Sequence, residues 1–171
     1  MYEDKATSRY VSLTNYLSVP TGSYDSHAAF NIGTNRFSDD TQLAITYGLN
    51  SKFTLDMNFD YIGYSDNNNV NAYGPTLTLK QRSTEQAAFW LDYSIDEKSF
   101  AAVGFFSQFG GQELLDGAPN GLKTEEYRIR ASYGRFVTPT VQLLLQINDD
   151  VGTVGGFQQG VGFEFRATKV F

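Results

Sequence analysis

Apolar and polar residues alternate along most of this chain with a period of two, the pattern of strands with one greasy and one polar face. The closing stretch, GFEFRATKVF, shows it. Val161, Phe163, Phe165, Ala167, Lys169 and Phe171 share one parity, and Gly162, Glu164, Arg166, Thr168 and Val170 the other. Eight such segments are predicted, over residues 9–20, 41–49, 52–64, 75–95, 99–109, 124–137 and 141–149, with the eighth ending at Phe171. In the third, Phe53, Leu55, Met57, Phe59 and Tyr61 alternate with Thr54, Asp56, Asn58 and Asp60. In the fourth, Leu77 and Leu79 share a parity with Ala87, Phe89, Leu91, Tyr93 and Ile95, which suits one long strand projecting beyond a membrane or a short hairpin near QRSTEQ.

The segments are joined alternately by tight turns (LNSK, DEK, TPT) and longer polar stretches (TGSYDSHAAFNIGTNRFSDD, SDNNNVNAYG, GGQELLDGAPNG). That alternation, strands near the ~9–11 residues that a tilted strand needs to cross a bilayer, and an even count with both termini on the short-turn side predict an all-β fold. Its expected form is an antiparallel up-and-down transmembrane β-barrel of eight strands, one domain over residues 1–171. Aromatics on the apolar parity gather at the strand ends. Tyr47, Phe53, Tyr93, Tyr133 and Phe171 lie toward the short turns, and Phe59, Tyr61, Phe109, Tyr127 and Phe157 toward the long loops, with aliphatic residues between. Two aromatic girdles around an aliphatic band are what two membrane interfaces select. A soluble lipocalin-like barrel is the alternative, with the same faces exchanged.

The polar parity is then the lumen wall. It carries Asp56, Asp60, Asp92, Glu126 and Glu164 against Lys80, Arg82, Arg128, Arg130 and Arg166, with Asn58 and many Gly, Ser, Thr and Gln residues among them. Balanced charges in an eight-stranded barrel, whose interior side chains just fill it, predict a salt-bridged plug; a wider barrel would make the same residues a channel lining. Trp90, Phe106 and Tyr64 also fall on this parity, and Trp90 reads first as packing the lumen and donating its indole N–H there.

Composition narrows the remaining chemistry. A net charge of −6 provides no footprint for nucleic acid. The absence of cysteine removes disulfides, thiolate metal sites and a cysteine nucleophile. The start, MYEDKATSRY, has no basic segment leading into an apolar one, so no signal peptide is expected. The sole histidine, His27, has Ser23, Asp25 and Ser26 beside it, which makes a rim lipid hydrolase a third reading, but a Gly/Ser/Asn-rich loop is a poor platform for a triad. The Asn/Asp-rich stretches YSDNNNVN and INDDVG lack calcium-loop spacing and read as turn formers, so neither a metal nor a cofactor is expected.

At LSVPTGSYD and NIGTNRFSDDTQLAITYGLN, and again at VGFFSQFGG, YGRFVTPTVQLLLQINDDV and GFQQGVGFEFRATKVF, the chain resembles the outer-membrane transporters associated with the meta-pathway of phenol degradation. The resemblance implies a bacterial outer-membrane location and passage of small, often hydrophobic molecules, for which Trp90, Phe106 and Tyr64 are the candidate ligand contacts, and it brings no catalytic residues. Members of that family are longer, so it also implies a mature, shortened or engineered form. The alternating C-terminal strand ending in Phe171 resembles the signal read by the outer-membrane insertion machinery, with Lys169 departing from its apolar pattern. The expected partners are therefore the lipid bilayer, that machinery and a small solute. A barrel with a plugged lumen serving as a scaffold is the alternative function. If the greasy face meets lipid, the protein will form a β-rich, heat-modifiable band on gels only after transfer into detergent or lipid. Folding to a monodisperse β protein in plain buffer would reverse the two faces.

Overall fold

In the computed structural model, which describes residues 2–4, 9–28, 30–71, 74–156 and 158–170, every regular element is a strand. They are β1 (Tyr2–Asp4), β2 (Arg9–Ser18), β3 (Ser38–Gly48), β4 (Phe53–Tyr64), β5 (Asn67–Val70), β6 (Leu77–Gln81), β7 (Thr84–Ser94), β8 (Ser99–Gly110), β9 (Glu113–Leu115), β10 (Ala118–Pro119), β11 (Glu125–Thr138), β12 (Val141–Val154) and β13 (Gly162–Lys169). Nine of them make one antiparallel up-and-down sheet in the order β1-β2-β3-β4-β7-β8-β11-β12-β13, and β10-β9-β6-β5 make a second. The expected closed barrel of eight strands is not what the described residues form. Short β1 adds a ninth strand, and no ladder joins β1 or β2 to β13.

The hairpin turns follow from local chemistry. At residues 49–52 the Asn50 side-chain oxygen accepts the backbone N–H groups of Lys52 (2.9 Å) and Phe53 (3.0 Å). Asp96 accepts from Lys98 N–H (2.8 Å), and Thr138 Oγ1 from Thr140 (3.3 Å) and Val141 (3.0 Å). Short polar side chains that bond their own backbone two or three residues on are the turn formers of tight connections.

The sheet is apolar on its exposed face. Leu13, Phe163 and Phe165 are 71%, 75% and 69% exposed, while Ala102 and Leu144, on the polar parity, are the buried apolar residues among those described. A water-soluble barrel would show the reverse, so the lipocalin-like alternative fails on burial. The outer face forms register rows such as Ile45–Met57–Phe89–Phe105–Ile129 and Phe53–Tyr93–Ala101–Tyr133. Phe53 and Tyr93 sit at strand ends with their rings 4.9 Å apart, whereas Phe59 lies inside β4, one row from Phe89. Arg9 lies over the Tyr47 ring at 4.3 Å and Lys52 over Tyr93 at 5.6 Å, so cations accompany the tyrosines at the short-turn rim. Phe89 and Phe105 break the expected aliphatic band by occupying its middle row. Phe157 and Phe171 lie outside the described residues.

Two glycines on the inner face accommodate large rings. A Cβ on Gly104 would stand 2.5 Å from Trp90 Cε3, and one on Gly134 would stand 2.2 Å from Phe100 Cε1. Each ring lies flat across the neighbouring strand, at the pairs Trp90↔Gly104 and Phe100↔Gly134.

Residues 75–95 are neither one long strand nor a hairpin. The chain leaves the main sheet between β6 and β7, and β6 pairs instead with β5 and β9. Gly110 and Gly111, both at positive φ, turn the end of β8 so that Gly111 N–H reaches Ser83 O (2.8 Å) and Arg82 N–H reaches Gln112 O (2.9 Å). Leu79 then meets Leu115 across the small sheet. The long connections are therefore structured: residues 65–83 and 111–124 build this second sheet at the long-loop end. The first long connection is tied to it through Asn67, 2% exposed, which bonds Asn35 (2.9 Å) and the Thr34 carbonyl (3.1 Å). Likewise β12 continues through the INDDVG stretch, which was expected to turn.

Gly134→Ala tests the packing of the inner face. It is expected to lower unfolding free energy in detergent by about 1–3 kcal/mol, because Phe100 must leave its place. Gly160→Ala, where a Cβ meets nothing within 4 Å, should stay within about 0.5 kcal/mol. Equal denaturation midpoints for the two would refute the packing account.

Candidate functional site: the inner wall

The inner face of the main sheet gathers most of the charged residues expected on a lumen wall, and β-register sets their neighbours. Asp56 (β4) stands opposite Trp90 (β7), Trp90 opposite Gly104 (β8), and Gly104 opposite Arg130 (β11). Toward the long loops the next row runs Asn58, Ala88, Phe106, Arg128 and Asp150. Asp60, Asp92, Glu126, Glu164 and Arg166 share this face. Lys80 and Arg82 do not: Lys80 is on β6 in the second sheet, 3.2 Å from Asp66, and Arg82 follows in the link to β7. The cause is the break after β6, which moves both out of the parity that placed them inside.

Most polar groups on the wall are paired. Arg128 is clamped between Glu126 (2.7 Å) and Asp150 (2.6 Å), and Asp150, 2% exposed, also accepts Gln159 N–H at 2.8 Å. Asp60 accepts from Gln42 (2.7 Å), Asp56 from Thr46, Gln86 donates to Gln108 (2.6 Å), and Gln146 reaches Glu164 at 3.4 Å. Asp92 interacts with the Asp56 carboxyl diagonally across β4 and β7. The sequence pairs Arg128 and Arg130 with Glu126, Asp92 or Asp60; in the structure Arg128 meets Glu126, and Arg130 makes no ion pair with any of the three. Asp150, the more buried partner of Arg128, lies one residue beyond the predicted end of its strand at Asp149.

Arg130 is different. Its guanidinium lies 5.9 Å from the Trp90 ring and 5.5 Å from the Phe106 ring, and its buried Nε has no hydrogen-bond partner. Two of the three candidate ligand contacts thus converge on this one cation. Tyr64 is far from them, at the long-loop end of β4, where its hydroxyl donates to Thr84 Oγ1 (3.0 Å) and Arg36 lies over its ring at 4.9 Å. Arg36, which also bonds Gln81, was missed because it falls in a loop.

The other candidates gather no machinery. His27 is 3.4 Å from Asp25 and 3.3 Å from Ser26, with both the histidine and the aspartate side chains about 70% exposed. No group of three or more metal-ligating residues occurs among the described residues. Asn67–Val70 is a strand, and Asn148, Asp149 and Asp150 belong to β12.

At the short-turn rim, the backbone N–H of Lys98 holds the exposed Asp96 carboxyl below the usual carboxylate range, and Arg135 stands 3.8 Å away. On the wall itself, Asp150→Ala is expected to cost about 2–4 kcal/mol by leaving Arg128 with one carboxylate in a shielded site, read by urea unfolding of the micelle-folded protein. Asp25→Ala on the exposed loop should change stability by less than about 0.5 kcal/mol. An Asp150 variant as stable as the parent would show that the clamp is incidental.

Comparison with known proteins bears on the family and the fold. The family model described as MetA-pathway of phenol degradation matches residues 1–167. No curated protein sequence matches. Among solved structures, the chain is similar to the crystal structure of an outer membrane channel from Pseudomonas putida F1, with a TM-score of 0.77 and 28% identity. The match covers 96% of this chain and 59% of that one, so the chain spans well under two thirds of its neighbour's length.

Proposed function

This chain belongs to the family of the MetA-pathway of phenol degradation, and from that premise we propose that it works in the bacterial outer membrane as a channel for small, often hydrophobic molecules. One observation carries the reading: the apolar face is outside and the charged, hydrogen-bonded face inside, the arrangement of a barrel that lipid surrounds and water enters. The solved outer membrane channel of the same architecture supports it. The inner face, from Asp56, Asn58 and Asp60 through Asp92 to Glu126, Arg128, Arg130, Glu164 and Arg166, would line the solute path, and the C-terminal strand would engage the insertion machinery. The girdle aromatics would hold the two interfaces.

The scaffold alternative keeps one observation on its side. Paired groups such as Arg128 with Glu126 and Asp150 fill space and resist displacement, as a plug would. An enzymatic reading has only the exposed Asp25, Ser26 and His27 group to rest on.

Planar-bilayer recording decides between channel and scaffold. Protein that migrates as a heat-modifiable band should give stable single-channel steps, and Arg128→Ala with Arg130→Ala should shift its ion selectivity toward cations. Silence from folded protein at every voltage tried would sink the channel and favour the plug.

A further inference from the structure

We propose that Arg130, Trp90 and Phe106 form a solute-binding station on the inner wall, and that the solute class it takes is the planar aromatic carboxylate. The inference rests on the channel reading and adds a substrate class to it. The other arginine of the pair, Arg128, has its charge answered by two carboxylates. Arg130, two residues on and on the same face, forms no ion pair or hydrogen bond among the described residues, and its Nε is buried. A shielded guanidinium without an acceptor is an unfavourable arrangement unless something fills the vacant donor positions.

What can fill them is set by the surroundings. Trp90 lies flat over strand β8 because position 104 has no side chain, and its ring therefore extends toward Arg130 along the wall. Phe106, one row nearer the long loops on the same strand, brings its ring to 5.5 Å from the guanidinium. The two rings offer the guanidinium no hydrogen-bond acceptor, so cation–π contacts at these distances leave its N–H groups without a bonded partner. Those N–H groups form a planar fork matched to a carboxylate. A ligand that bonds the fork lies in the plane of the guanidinium, where a flat ring attached to the carboxylate can rest against an aromatic side chain and gain the offset-stacking contact. A small aliphatic acid would use the fork alone, and a neutral aromatic would use the rings alone. Asp56 and Asp92 beyond Trp90, together with Glu126, Glu164 and Asp150, which act on Arg130 electrostatically without pairing with it, disfavour a second negative charge and so favour monoanions.

Trp90 is the only tryptophan in the chain, so its emission reports on this place alone. The full chain, folded in detergent micelles, would be titrated with benzoate, with benzyl alcohol and with acetate. Benzoate is expected to change the emission saturably, with the other two at least about tenfold weaker. Arg130→Gln should weaken benzoate by about tenfold or more, the loss of a charge-assisted bond, while Arg130→Lys, which keeps the charge without the fork, should fall between. Heat-modifiable migration checks that each variant folds; should Arg130→Gln not fold, the benzoate, benzyl alcohol and acetate series on the parent still decides. Benzyl alcohol binding as well as benzoate, acetate binding as well as benzoate, no saturable change, or an Arg130→Gln titration like the parent's would each overturn the station. Because emission needs no current, saturable benzoate binding in a protein silent in bilayers would sink the channel and keep the station. Conducting protein blind to benzoate would do the opposite.

Discussion

The whole arrangement depends on the backbone hydrogen-bond ladder between long antiparallel strands. In hydrocarbon an unpaired N–H or C=O costs several kcal/mol, so a chain whose greasy side chains face outward must bond its main chain strand to strand. Here β2, β3, β4, β7, β8, β11, β12 and β13 do so, each bonded to the next of these long strands along the sequence. Once the ladder exists, side-chain parity divides the residues without further instruction. One parity meets the exterior and the other meets itself, and the buried apolar core that stabilises a soluble domain is reduced to Ala102 and Leu144. Stability must come instead from the ladder, from lipid around the outer face, and from polar pairing on the inner face.

That pairing explains why the inner wall is so thoroughly bonded. A shielded charge is tolerable when matched in geometry and number, as Arg128 is by Glu126 and Asp150. Register supplies the matches: Arg128 and Asp150 are direct partners on β11 and β12, and so are Gln42 and Asp60 on β3 and β4. Against this background Arg130 stands out, since the ladder gives it Gly104 on one side and Asn148 on the other, neither of which is anionic. Arg130 is thus a shielded cation on the wall whose buried Nε has no hydrogen-bond partner among the described residues.

Much of this was legible in the sequence because parity is a robust signal. Alternation in the PheThrLeuAspMetAsnPheAsp run, residues 53–60, assigned every side chain of that strand to its face, and placed Trp90, Phe106 and Arg130 together on the inner one. Parity fails wherever strand length or sheet membership changes. Lys80 and Arg82 keep the alternation of the strand that follows them, yet Gly110 and Gly111 bend the neighbouring strand away and give β6 new partners. Composition misled at INDDVG, where Asn and Asp suggested a turn. The alternation Leu143, Leu145, Ile147 carried on would have put Asn148 and Asp150 on the polar parity and found the partner of Arg128. Sheet closure was beyond reach for a different reason: it depends on which edges meet, a non-local fact that a period of two does not encode.

The second sheet bears on how the two ends of the molecule differ. The short-turn end is held by hairpins whose side chains bond their own backbone, with ties between neighbouring turns such as Ser94 N–H to Lys52 O and Phe136 N–H to Lys98 O. The long-loop end is cooperative: Arg36 reaches Tyr64 and Gln81, Asn67 reaches Asn35 and Thr34, and Tyr24 reaches Asn69. A displacement of any one connection there disturbs bonds in the others. Opening the long-loop end to a solute, under the channel reading, would thus require several bonds to move together. Selection by a pre-formed wall position such as Arg130 requires none to move, because Trp90 is already seated by Gly104. A binding station belongs on the ladder rather than on the loops, because neighbouring strands fix each rotamer.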